Sequence, residues 1–104
     1  MLVCETWKGR PLSPEQANRM MATWGKIEAS MAENANVERV CWYIYADGSG
    51  GVTVTRANDV DAANAFQLET SLALAEFLEL DAKVVLDLDA AMPAILKGME
   101  YANS

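Results

Sequence analysis

Histidine is absent from this chain of 104 residues. Its absence removes the commonest general base, the commonest metal ligand and every Ser–His or Cys–His dyad. Cysteine is scarce. Cys4 and Cys41 lie too far apart for a CxxC redox motif and are too few for a cysteine-rich zinc site. They read as buried apolar thiols of a reducing cytoplasm, unpaired with one another. Basic residues are outnumbered, eight Lys and Arg against fifteen Asp and Glu. The net charge of −7 and the pI near 4.4 lack the basic footprint that phosphate contacts demand, which argues against direct nucleic-acid binding. No apolar run approaches the roughly 18–20 residues of a membrane span, so no membrane association is expected. Met1–Trp7 has Glu5 inside it and no basic stretch before it, unlike a signal peptide, and the expected location is cytoplasmic.

What remains is an ordinary globular composition, with 52% apolar and 22% charged residues and a mean hydropathy of +0.02. At roughly 100–200 residues per domain the whole chain, 1–104, is one domain. A core of that size is thin, and any apolar face left uncovered invites self-association. Residues 1–52 carry five basic and six acidic side chains, and residues 53–104 three and nine, so most of the charge sits in the second half.

Residues 1–7 (MLVCETW) are β-compatible and broken by Lys8-Gly9-Arg10-Pro11, which predicts a strand. Ser13-Pro14-Glu15-Gln16 joins an N-cap serine, a proline at N1 and a glutamine at N3, the pattern of a capping box. The helix it opens spans 14–33 and places Ala17, Met20, Met21, Trp24, Ile27, Met31 and Ala35 on one face. Core packing is the commoner use of such a Met and Trp stripe, a ligand pocket the rarer.

Residues 37–46 and 52–56 read as a hairpin around Asp47-Gly48-Ser49-Gly50-Gly51. Those glycines carry no lysine and open no helix, so they form no phosphate-binding loop. The single carboxylate among them does not make a calcium loop. In the first strand of the hairpin Cys41, Tyr43 and Tyr45 alternate with Val40, Trp42 and Ile44, so both faces of the sheet need cover. Asn58 or Asp59 caps a second helix over 60–78, whose inner face holds Ala62, Ala63, Phe66, Thr70, Ala73, Leu74 and Phe77. Leu68, Leu72 and Ala75 form an apolar patch on its outer side. Residues 80–88 alternate as a strand, and Asp89 caps a last helix over 90–101 with Pro93 in its first turn.

The order β-α-β-β-α-β with a trailing helix is the ferredoxin-like α+β arrangement, an antiparallel sheet of order 4-1-3-2 with both long helices on one face. It separates Cys4 from Cys41 by two strand steps, about 10 Å at 4.8 Å each, beyond disulfide reach. Two copies packed sheet against sheet explain the uncovered face. The expected interface residues are Cys41, Tyr43 and Tyr45 on the sheet and Leu68, Leu72 and Ala75 on the helix.

Met1-Leu2 with Glu5-Thr6-Trp7-Lys8-Gly9, Trp42 followed by Ala46-Asp47-Gly48-Ser49-Gly50-Gly51, Asn58-Asp59, and Val84-Val85-Leu86-Asp87 resemble a family of short actinobacterial domains of unknown function. The resemblance covers roughly residues 1–92 and implies a dimeric α+β barrel. The longer first helix and the tail depart from it and suggest a phage-encoded form.

The function this reading favours is a non-enzymatic homodimeric module, acting as a phage accessory protein on a host or other cellular protein partner. No metal, haem or nucleotide cofactor is expected. The alternative is an enzyme of the dimeric α+β barrel kind, a cofactor-independent monooxygenase or an isomerase. The cofactor-free oxygenases are similar in size and strand order and use Asn, Trp and Arg, for which Asn58, Trp42 and Arg39 are the candidate catalytic residues. The bland reading makes Asn58 a helix cap, Trp42 sheet packing and Arg39 a solvated strand residue. A third reading makes Asp59, Asp61, Glu69, Glu76, Glu79, Asp81, Asp87 and Asp89 an acidic mimic of nucleic acid.

Overall fold

The Ser13 side chain accepts the Gln16 backbone N–H at 3.2 Å, and the Gln16 side chain accepts the Ser13 backbone N–H at 2.9 Å. That reciprocal pair starts helix α1, Pro14–Glu33, where the capping residues require it. The computed structural model describes residues 1–103. Around α1 stand strands β1 (Leu2–Gly9), β2 (Val37–Ile44), β3 (Gly50–Ala57) and β4 (Leu78–Val85), and helices α2 (Val60–Leu74) and α3 (Leu88–Ala102).

The four strands form one antiparallel sheet in the order β2-β3-β1-β4, which is the expected 4-1-3-2 order read from the other edge. The fold is ferredoxin-like, with α1 and α2 packed on the sheet and on each other. Val54 pairs with Cys4 on one side and Cys41 on the other, so the two thiols flank it two strand steps apart; both are free, and each is partly exposed rather than buried, because both point to the open face of the sheet.

Alternation assigns the faces. Val3, Glu5 and Trp7 of β1, Thr53, Thr55 and Ala57 of β3, and Leu78, Leu80 and Ala82 of β4 share the helix side. Beneath α1 and α2 lie two apolar clusters, one built on Val3, Met31, Val37, Ala57, Ala63 and Phe66, the other on Trp24, Leu74, Phe77 and Leu78. Within the α1 stripe Met21 is 66% exposed and Ala35 is exposed in the following turn, which narrows the buried face to the Met20, Trp24, Ile27 and Met31 line.

Element ends differ from the sequence expectation where pairing decides them. Helix α2 stops at Leu74, not Leu78, because the next turn delivers Phe77 and Leu78 to the second cluster and bonds the Phe77 carbonyl to Arg10 N–H at 3.0 Å. Strand β4 starts at Leu78 opposite Gly9 and ends at Val85 opposite Leu2. Leu86 and Leu88 continue the alternation but have no ladder partner, since β1 begins at Leu2. Gly50 and Gly51 belong to β3 rather than to the turn, and Ala73 of the expected inner face is exposed. Asp87, not Asp89, precedes α3, and Pro93 lies inside that helix, beyond its first turn.

Helix α3 has no buried residue and carries exposed Leu88, Ile95, Leu96 and Met99. The radius of gyration is 16.6 Å, above the roughly 13 Å of a compact chain this long. Among the described residues no helix is long and apolar enough to cross a membrane.

Candidate functional site

Glu5 is 3% exposed in a central strand, with Val3 and Trp7 on the same face. Isolated carboxylates avoid such places, because water solvates the charge far better than an apolar interior does. Its neighbours define the site. Thr55, on the adjacent strand and diagonal to Glu5, donates its hydroxyl to Glu5 Oε1 at 3.2 Å. The same Thr55 oxygen accepts Arg39 Nη1 at 3.3 Å, and Arg39 Nη2 reaches Glu28 Oε1 of α1 at 2.5 Å. A continuous chain of Glu28, Arg39, Thr55 and Glu5 therefore crosses α1, β2, β3 and β1.

Burial pushes the Glu5 carboxyl above its ordinary value. The positive charge of Arg39 and the Thr55 hydrogen bond oppose that rise, and the negative charge of Glu28 adds to it. A raised carboxyl in a closed cavity is the arrangement from which proton-transfer sites are built.

Arg39 and Trp42 reach this place through a β-bulge. The β2–β3 register shifts between Arg39 and Cys41, leaving Val40 unpaired, so that Arg39 faces Thr55 and Trp42 faces Thr53 on the helix side. Trp42 then stacks on Trp24 of α1 at 4.7 Å and 6°, and Trp24 meets Trp7 edge to face at 5.2 Å. Three indoles from β1, α1 and β2 thus form one continuous aromatic wall.

Beside Trp7 and Trp24 lies a cavity of about 10 Å³, roughly the room one water needs, lined also by Glu5, Arg39, Thr53, Thr70 and apolar neighbours. Three buried polar atoms without a partner belong to its lining: Trp7 Nε1, Arg39 Nε and Thr70 Oγ1. Unpaired buried polar atoms are costly, and three of them on residues that line one cavity mark a place that a ligand oxygen can satisfy. Ile27 and Thr70 also line a groove of about 280 Å³ between α1 and α2, which adjoins the cavity.

Of the three residues that the sequence offered as catalytic, the structure brings Arg39 and Trp42 together and leaves Asn58 outside. The Asn58 amide donates to Ala35 O at 3.4 Å and Asn36 Oδ1 at 3.2 Å in an exposed turn, while Asp59 caps α2 by accepting Ala62 N–H at 2.8 Å. Arg39 is no solvated strand residue, since its side chain is 17% exposed. The sequence reading missed Glu5, Glu28, Thr55, Trp7 and Thr70 as site residues. One signal pointed to the first of them: Glu5 is the lone charge within Val3–Trp7, on the face it shares with two large apolar residues.

Cys41 and Tyr43 lie on the other, open face of the sheet, opposite Val54 and Val52. Tyr45 joins Thr6, Lys8 and Asp81 there. Leu68, Leu72 and Ala75 are exposed on the outer side of α2. The acids of the second half are dispersed. Glu76 pairs with Arg19, Glu79 with Arg10 and Asp81 with Lys83, and Asp59 is a cap. Among the described residues no three His, Cys, Asp or Glu side chains group as a metal site would need.

No family model and no curated protein matches the chain. Solved structures do. SnoaB, a cofactor-independent oxygenase from Streptomyces nogalater, superposes with a TM-score of 0.57 at 13% identity over 83% of this chain and 92% of that one. A putative antibiotic biosynthesis monooxygenase from Nitrosomonas europaea gives 0.59 at 11% identity, covering 85% and 99%. The Mycobacterium tuberculosis protein Rv0793 gives 0.57 at 16%, covering 84% and 97%. These likenesses support the ferredoxin-like α+β fold. They also correct the expectation of a non-enzymatic interaction module and of a phage accessory role on a host partner, because the neighbours of named activity are an oxygenase and a putative monooxygenase.

Proposed function

We propose that this protein is an enzyme of the cofactor-independent oxygenase type, acting on an enolisable aromatic ketone or a related phenol. One observation carries the reading. In a fold shared with such an oxygenase, Trp7, Arg39 and Thr70 line one cavity and leave Trp7 Nε1, Arg39 Nε and Thr70 Oγ1 unpartnered, with the Trp24 indole in the same lining.

The chemistry follows from the electronic state of dioxygen, a triplet that reacts slowly with closed-shell molecules. An ionised, electron-rich substrate can give it one electron directly, and the resulting pair then joins. The protein's task is to bind the substrate, favour its anion and exclude water. Preorganised N–H and O–H donors in a dry site hold a developing oxyanion far more effectively than water does. Trp7 and Arg39 supply those donors, the indole wall offers planar apolar surface, and the groove between α1 and α2 accommodates the remainder of the molecule. For an aryl methylene ketone, a single dioxygen converts the methylene to a carbonyl. One oxygen atom stays on the carbon, and the other leaves as water with both methylene hydrogens.

The test uses anthrone, whose methylene lies between two aromatic rings. Oxygen uptake equal to the anthraquinone formed, with one atom of labelled dioxygen entering the quinone, supports the reading. No uptake above the buffer rate, with anthrone soluble and the protein folded, overturns it.

The same reading has the chain working as a homodimer, with the open face of the sheet covered by a second copy. Tyr43 is 65% exposed on that face and Val85 37%, and α3 adds its own uncovered apolar side. Leu68, Leu72 and Ala75 lie on the opposite side of the molecule, across α2, so one two-fold interface cannot use both sets. The sheet face is the extended one, and it is the face we assign to the dimer.

A further inference from the structure

We propose that helix α3 is an arm that packs on a second copy of this chain, at the margin of the open sheet face. The inference rests on the homodimer reading above and gives α3 its place in that dimer. Val85 is the last residue of β4 and lies on the open face, opposite Leu2. Helix α3 begins three residues later, so the arm leaves from the rim of that face.

At about 100° per residue, Leu88, Met92, Ile95, Leu96 and Met99 fill an arc about 100° wide, and Asp89, Lys97 and Glu100 stand outside it. Lys97 Nζ lies 5.8 Å from the centre of the Tyr101 ring on that outer side. A helix patterned in this way faces a core. This one does not, since it has no buried residue, and Leu96 and Met99 are each 57% exposed. The stripe is wider than the seam of a two-stranded coiled coil, which suits a broad surface better than a single second helix. The polar arc belongs in water. It keeps the arm out of the space between two sheets and at the edge of the pair.

Size points the same way. The molecule measures 58 Å along its longest axis and 31 Å across. Strands of this length run about 27 Å and helix α3 about 22 Å, so α3 stands out beyond the sheet and its own chain leaves it uncovered.

Area identifies the cover as a second copy. Four strands about 4.8 Å apart and about 27 Å long present a face of about 500 Å². The Glu38–Arg56 and Asp81–Lys83 ion pairs occupy its margins, which confines its apolar part to the middle. A stable homodimer takes about 800 Å² from each partner, so the sheet face alone falls short. An arm of about 22 by 10 Å, given and received by each copy, adds about 400 Å² per copy and closes the gap. A foreign partner would meet the arm once, whereas two-fold symmetry uses it twice.

The experiment uses the full chain, in which Ile95 is the one isoleucine of α3. One sample is deuterated except for isotope-labelled isoleucine methyls, the other is fully protonated, and the two are mixed until subunits exchange. The Ile95 methyl is expected to show nuclear Overhauser contacts with protons of the unlabelled copy, while Ile27, packed against the core of its own chain, shows none. Light scattering adds a second measure: Ile95→Lys should weaken the dimer about tenfold or more, and Lys97→Glu, on the polar arc, should leave it within about twofold. A dimer in which Ile95 shows no contact with the other copy and Ile95→Lys associates as before overturns the arm and leaves the sheet-face dimer standing. A monomeric wild type overturns both. An Ile95→Lys chain that keeps its dimer but loses stability in urea equally at every protein concentration shows α3 folded back on its own chain, and that overturns the arm as well.

Discussion

The Arg39 guanidinium lies 5.6 Å from the centre of the Trp42 ring, on the same face of one strand and three residues away. In a regular strand residues i and i+3 point to opposite faces. Val40 makes the difference: it is the extra residue of a β-bulge and stands unpaired while Arg39 and Cys41 take adjacent partners on β3, Thr55 and Val54. The bulge absorbs that extra residue, so Arg39 and Trp42 keep the helix side of the sheet.

Deleting Val40 should therefore be tolerated. The shortened strand alternates regularly and still directs Arg39 and Trp42 to the helix side, and a side chain already 45% exposed is lost. The expected outcome is a native circular dichroism spectrum and a urea midpoint near that of the wild type. Deleting Trp42's neighbour Tyr43 instead flips the strand end and should lower the midpoint clearly.

Trp24 is 7% exposed and touches both other indoles of the wall. Trp24→Ala should destabilise by about 3–5 kcal/mol, the range for deleting a buried aromatic. Chemical denaturation measures it. A nearly unchanged midpoint would place the ring on the surface and void the site as described.

Gly51 pairs with Trp7, and a Cβ built on it would stand 2.5 Å from Trp7 Cζ2 and 2.4 Å from the Tyr43 carbonyl oxygen. Gly51→Ala should push the Trp7 indole from its place, with a cost of about 1–3 kcal/mol for the forced repacking. Near-ultraviolet circular dichroism should show the altered tryptophan signal. Gly25→Ala meets nothing within 4 Å in an exposed helix position and should stabilise by up to about 1 kcal/mol.

Stability should depend on Glu5 with a definite sign. Its folded pKa is raised above the ordinary 4.5, so its contribution is fully present below that value and is lost as pH rises through the folded pKa. Asp47, lowered from 3.8 chiefly by hydrogen bonds from Ser49, acts oppositely, its contribution being lost as pH falls. Glu5→Gln removes the first effect and keeps the second. Urea midpoints from mildly acidic to neutral pH should accordingly show the variant gaining on the wild type as pH rises, and a gap that does not change with pH would remove Glu5 from that role.

Tyr43→Lys on the open sheet face should shift the light-scattering mass from dimer toward monomer at micromolar concentration. Leu72→Lys, on the outer side of α2, should leave it unchanged. The opposite result would assign the dimer to the helix face.

Local rules determined much of this protein. Ser13 and Gln16 had to start a helix, because their side chains satisfy backbone N–H groups that a helix end leaves open. The alternation of strand residues and the order of elements dictated the sheet, since short connections leave few ways to pair four strands beneath two helices. Tertiary structure decided the rest. Leu86 and Leu88 alternate as well as Leu80 and Ala82 do, yet β4 ends at Val85, opposite Leu2, while Met1 bonds to Ala57 on β3 instead. A bulge is invisible to a period-two pattern, so Arg39 and Trp42 read as residues of opposite faces until the register with β3 placed them together. Glu5 carries the same lesson. From sequence it is one acid in a short strand; only the packing of α1, β2 and β3 around it makes it a buried carboxyl, held by Thr55 and lining one cavity with Trp7 and Arg39. Charge and hydrophobicity are properties of residues, whereas burial and hydrogen-bond partners exist only once distant segments meet.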